Sequence, residues 1–164
     1  MQNWLPTDFE PPEVLLVPPE HHLRPIRASD VDIDYPAVMG SRERLWTIFG
    51  DAWSWPPESM TFEEDRADLA RHEREMVDRR SFNYAVLDEG EKRLAGCVYL
   101  DPPGRSGADA DISWWVVEDL ASTPLASSLS VLIPHWVSQY WPFVEPRYIG
   151  IDIGWDEWLR LPPP

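Results

Sequence analysis

The stretch 110-ADISWWVVEDLASTPLASSL-129 passes from a period of two into a period of 3.6. Over 109–117, alternation places Asp109, Asp111, Ser113 and Trp115 on one face of a strand and Ala110, Ile112, Trp114 and Val116 on the other. Pro124 falls at a first helical position, where a missing N–H costs least. Leu125, Leu129, Leu132, Trp136 and Tyr140 then keep a helical spacing, which predicts a helix over 123–141. Pro134 is expected to kink or split it. A strand–loop–helix junction attracts phosphate, because the first amides of a helix are unpaired and its dipole is positive there. This junction has no glycine, no lysine and no arginine.

Upstream, 82-FNYAVLD-88 and 94-LAGCVYL-100 alternate around a charged turn at Gly90 and read as a hairpin. Before them, Thr61 and Glu64 form a capping box that opens a charged helix over about 61–80. Residues 31–50 read as two short helices broken by Pro36 and Gly40, and 22-HLRPIRA-28 as a first strand. Downstream, 148-YIGIDI-153 reads as a last strand with Ile149, Ile151 and Ile153 on one face. The order β-α-α-α-β-β-β-α-β predicts an α+β fold with a mixed, mostly antiparallel central sheet and helices on both faces. Proline crowding marks 1–20 as an extended N-terminal arm, leaving a single domain over 21–154 and a tail over 155–164. That tail is expected to fold back over the sheet edge or to dock on a second subunit, as in a homodimer.

The net charge is −15 over 164 residues. Residues 1–20 carry 4 acids and no base, 21–80 carry 13 acids and 9 bases, and 81–164 carry 12 acids and 5 bases. No basic stripe is left for nucleic acid or for an anionic membrane, whereas an amine or a basic peptide is an easier partner. One cysteine, Cys97, excludes an intrachain disulfide and reads as a small buried residue. No leader pattern opens the chain and no apolar run reaches membrane length, so a soluble cytoplasmic protein is expected.

Three stretches carry a resemblance to the GNAT superfamily of N-acetyltransferases. The opening 23-LRPIRASDVD-32 is similar to its first strand and helix start, and 82-FNYAVLDEGEKRLAGCVYLDP-102 to its second and third strands. The segment 110-ADISWWV-116 resembles the A-E-I-G-Y-W-V type of fourth strand. The resemblance implies the acyl-CoA N-acyltransferase fold over about 21–154, cut short after the fifth strand. It also implies acetyl transfer from acetyl-CoA to an amine. Asp111 then matches the strand position that takes the amine proton. The amides around Val116 and Val117 match those that hold the pantetheine, and the helix start at Thr123, Leu125 and Ala126 the phosphate site. Two departures stand against this. The superfamily's R/Q-x-x-G-x-G/A loop is replaced by 117-VEDLASTPLA-126, and Glu118 and Asp119 lie inside that loop. Between Arg105 and Arg147 there is no Lys or Arg to offset them, so those two arginines are the nearest candidates for a phosphate.

Three readings therefore stay open: an acetyltransferase, a non-catalytic relative that binds another ligand, and an acidic module for a cationic partner. Trp53 and Trp55, in the stiff 53-WSWPPES-59 loop, are candidates to line a substrate cleft. Asp109, about 7 Å from Asp111 along one strand face, is a candidate to hold a cationic group. Strand carboxylates are as readily solvated or hydrogen-bonded as catalytic. His21, His22, His72 and His135 lack metal-ligand spacing and read as structural or surface residues, so no metal is expected.

Overall fold

The computed structural model describes residues 3–164. Six strands form one sheet in sequence order: β1 Leu15–Val17, β2 His21–Pro25, β3 Phe82–Asp88, β4 Leu94–Asp101, β5 Ala110–Val116 and β6 Pro146–Tyr148. Neighbours are antiparallel except β5 and β6, which are parallel. The connection between that parallel pair carries α4, Pro124–Tyr140. Between β2 and β3 lie α1 Val31–Gly40, α2 Arg42–Trp53 and α3 Phe62–Val77, and α5, Trp155–Arg160, follows β6.

Strand alternation divides the apolar residues between two cores. Tyr84, Val86, Val98, Leu100 and Ile112 meet Leu129, Ile133 and Trp136 of α4 on one face. Ala85, Leu87, Cys97, Tyr99 and Trp115 meet Val38, Leu45, Phe49 and Leu69 of α1–α3 on the other. Trp114 and Trp115 accordingly serve opposite faces. Each fully buried side chain of this kind contributes roughly 1.5–3 kcal/mol. Gly96 lets β4 and β5 approach: a Cβ there would collide with the Trp115 carbonyl.

The α+β mixed sheet with helices on both faces is the fold expected. Several boundaries differ. Within the expected arm, Leu15–Val17 is an edge strand paired with β2, and Leu5 and Val17 are buried. Arg79 holds this segment by donating to the Phe9 and Pro6 carbonyls. The first two helices part at Ser41, and Pro36 lies inside α1. Thr61 and Glu64 do close the capping box of α3. α4 runs unbroken through Pro134, because burial of Leu129, Ile133, Trp136 and Val137 offsets the backbone bond a proline removes.

The last strand is 146–148, not 148–153. Gly150 adopts φ +94°, and the Ile151 and Asp152 amides donate back to the Tyr148 carbonyl, so the chain turns. Ile149 is buried, but Ile151 points to solvent. The tail folds back as expected of one alternative, but over the α2 side as helix α5, not over the sheet edge. Among the described residues no helix is long and apolar enough to cross a membrane.

Candidate functional site

On the α1–α3 face, β4 and β5 set Tyr99 opposite Ser113 and Asp101 opposite Asp111. These four form the floor of a cavity of about 550 Å³. Its walls come from three other places. The end of α2 supplies Trp53 and the α2–α3 loop Trp55, α3 supplies Asp68, Arg71, His72 and Glu75, and α5 supplies Trp155 and Trp158.

One end is aromatic. Trp53 stacks on Phe49 at 4.6 Å and meets Tyr99 and Trp155 edge-on at 5.4 and 5.1 Å. Tyr99 OH accepts the Trp115 indole N–H at 2.8 Å, and burial pushes its phenol well above the ordinary range. The other end is carboxylate-rich. Arg71 pairs with both Asp68 and Glu75, and His72 lies 3.6 and 3.5 Å from the same two acids. Asp101 accepts the Ser81 hydroxyl at 2.6 Å, and burial pushes its carboxyl up to about 6 against the pull of that bond.

Asp111 lies on the floor, yet both of its oxygens are occupied. Oδ1 accepts Arg147 Nε at 2.8 Å and Nη2 at 2.6 Å. Oδ2 accepts the Gly104 amide at 2.9 Å and the Trp158 indole N–H at 3.0 Å. Arg147 also donates to the Ser106 and Arg105 carbonyls, so the buried pair ties the 104–106 loop and α5 to the sheet. A general base needs a lone pair aimed at the substrate; this carboxylate is built as a clasp.

Asp109 stands outside the cavity. It accepts the Val144 amide at 2.6 Å, which corrects its pairing with Asp111 around a cationic group. Trp53 and Trp55 line the cavity wall, Trp53 as the last residue of α2 rather than in the loop. His72, read as structural or surface, also lines the cavity. Asp101, Tyr99, Trp155 and Trp158 were not singled out as site residues. Their signal is non-local, since it needs the β4–β5 register and the path of the tail. Cys97 is buried, as expected, and its thiol is pushed up by that burial. Among the described residues no group of three or more His, Cys, Asp or Glu side chains is arranged to hold a metal ion.

The junction after β5 differs from a phosphate cradle. Glu118–Leu120 form a 3₁₀ turn. The amides of Val117, Leu120, Ala121, Thr123 and Ala126 donate to backbone carbonyls, and that of Glu118 donates to Ser41 Oγ. Pro124 has no amide to give. Thr123 sits at the N-cap of α4, but its hydroxyl donates to the Leu120 carbonyl rather than accepting from the helix. Val116 and Val117 are buried in opposite cores, and Leu125 is buried beside α4's packing face. Arg93, one of two cations beside this junction with Lys92, is paired with Asp119. Arg147 is held at Asp111, about 20 Å along the strand from Val117. Arg105 lies over the Trp158 ring at 5.0 Å. The amides named are thus taken, and Lys92 lines a second cavity of about 530 Å³ beside Val117, Glu118 and Asp119; without glycines and with two acids in the loop, the residues present fit the pyrophosphate of CoA poorly.

No protein-family model matches the chain, and no curated protein matches it. Solved structures do. RimL, a ribosomal alpha-N-protein acetyltransferase solved in complex with coenzyme A, covers 76% of this chain and 68% of its own, at 19% identity and a TM-score of 0.59. An acetyl transferase from Salmonella typhimurium that modifies the N-terminal serine of a 50S ribosomal subunit protein covers 77% and 69%, at 18% identity and a TM-score of 0.58. MccE, a microcin self-immunity acetyltransferase solved with acetyl-CoA and AMP, covers 76% and 67%, at 11% identity and a TM-score of 0.57. The chain spans 66% of apo RimL and 63% of a ribosomal-protein alanine acetyltransferase from Vibrio fischeri.

Proposed function

We propose that this chain, whose six-stranded mixed sheet with helices on both faces is the fold of GNAT N-acetyltransferases, binds an organic amine in the cavity between Trp53, Trp155 and the carboxylate floor. The observation that carries this reading is the union of an aromatic wall with an acid-rich floor in one 550 Å³ space. Aromatic faces and carboxylates are the two groups that stabilise an ammonium, by about 0.5–2 kcal/mol per ring when the site is desolvated. The cavity lining holds four carboxylates and one arginine, so it repels an anion. Retention of an amine without a CoA cradle makes the protein a binding relative of the transferases.

A second reading, transfer of an acetyl group to that same amine, is favoured by one observation besides the fold. The parallel pairing of β5 with β6 stops at Ile112 and Tyr148, so the far half of β5 has no partner on that side. Fluorescence of the four cavity indoles tests the proposal directly. Titration with phenethylamine, spermidine and a basic tripeptide is expected to give saturable quenching by at least one. No quenching by any amine up to millimolar concentration would refute an amine site.

A further inference from the structure

We propose that Asp101 is the residue that anchors the ammonium of a monocationic, aromatic-bearing ligand in the cavity. The inference rests on the amine-binding reading and adds which carboxylate carries the contact and which ligands fit.

The argument is one of elimination by charge. Four carboxylates line the cavity. Asp68 and Glu75 share Arg71, and Asp111 has Arg147. Asp101 has only the neutral Ser81 hydroxyl on Oδ1, and no arginine or lysine pairs with it among the described residues. A half-buried carboxylate without a cation is unfavourable, because partial desolvation removes hydration without replacing it. A ligand ammonium at Oδ2 supplies the missing charge. Tyr99 lies two residues earlier on the same strand face, and Trp53 meets its ring edge-on, so an apolar ring attached to the ammonium has aromatic surface beside it. A polyamine's further charges would find the other three carboxylates, Asp68, Glu75 and Asp111, already paired with arginine.

Proton and ammonium compete for the same carboxylate. Burial pushes Asp101 up to about 6, so its charge is present above that pH and lost as pH falls through it. The groups facing it are His72 and Glu75 from α3 and Asp111 from β5, with Ser81 at the start of β3.

Calorimetry on the full chain tests this with phenethylammonium and its neutral isostere 2-phenylethanol. At pH 7.5 phenethylammonium is expected to bind at least tenfold more tightly than the alcohol. Asp101→Asn, which keeps an acceptor for Ser81, is expected to remove that difference, and Ser81→Ala is not. In the wild-type chain, lowering pH from 7.5 to 5 is expected to weaken phenethylammonium at least fivefold and leave 2-phenylethanol unchanged, a comparison that needs no variant. Equal affinity of the two probes, or ammonium binding untouched by Asp101→Asn, overturns the role of Asp101 while amine binding stands. No binding of either probe overturns both.

Discussion

At Asp111 four contacts from three residues converge on one carboxyl, and its character follows from them. The side chain is 5% exposed and Arg147 8%, so each charge depends on the other. Removing one partner of such a pair costs about 3–5 kcal/mol, because the other is left charged and dry. Arg147→Ala is therefore expected to lower stability by that amount in urea unfolding, whereas Asp111→Asn together with Arg147→Met is expected to cost much less. Equal losses in the single and double variants would contradict the pair. The position of Asp111 on a cavity-facing strand surface was legible from alternation alone. Its partner was not, because Arg147 is 36 residues away and only the parallel β5–β6 pairing brings the two side by side. The same holds for Asp101: nothing local in 99-YLD-101 announces a half-buried carboxylate left without a cation.

Among the elements, α5 couples the tail to the site. Trp158 donates to Asp111, Trp155 packs on Phe49 and Trp53, and the Pro162 carbonyl accepts the Ser106 amide. Trp158→Phe keeps the ring and removes the donor. It is expected to weaken α5 docking by about 0.5–1.5 kcal/mol, the worth of one hydrogen bond. Hydrogen exchange of the 156–160 amides should then speed up about two- to tenfold, with α4 unchanged; unchanged exchange in α5 would show that the bond does not hold it. The hairpin, β5 and α4 could be read from the sequence because each has a clear period and terminating signals. The 148–153 segment misled for a physical reason. Ile149, Ile151 and Ile153 alternate as a strand does, but Gly150 takes a left-handed conformation and Asp152 accepts the Tyr148 amide, which bends the chain away after one bridge. At the 117–126 junction the missing glycines and the two acids could be read from the sequence. The 3₁₀ turn that occupies the amides was not visible in it.

For the whole molecule, acid groups act on stability as well as on ligand choice. Asp34 of α1 and Asp65 of α3 are buried side by side, and Asp34 is 4.0 Å from the Cys97 thiol. Burial, and then the charge of Asp65, pushes Asp34 well above the carboxylate range; burial raises Asp65 to about 6. The folded state thus holds protons that the unfolded chain releases near pH 4. The stability they contribute is full below that pH and is lost as pH rises through about 6. Asp65→Asn is expected to raise the melting temperature at pH 7.5, by on the order of 1–3 kcal/mol in stability, and to flatten the pH dependence between 4 and 7. A variant that melts lower at pH 7.5 would contradict a shared proton in this pair. The net charge of −15 acts in the same sense at long range, disfavouring the anionic cofactor that the fold's relatives were solved with and favouring a cation. The most direct test of the account is a calorimetric titration of the full chain with acetyl-CoA at physiological salt. A site of micromolar affinity would also stabilise the fold by about 4 kcal/mol at a thousandfold excess of ligand over its dissociation constant. The account predicts no heat of binding in the micromolar range and no rise in melting temperature at millimolar acetyl-CoA. A micromolar, saturable heat would contradict it and place this protein among the working acetyltransferases.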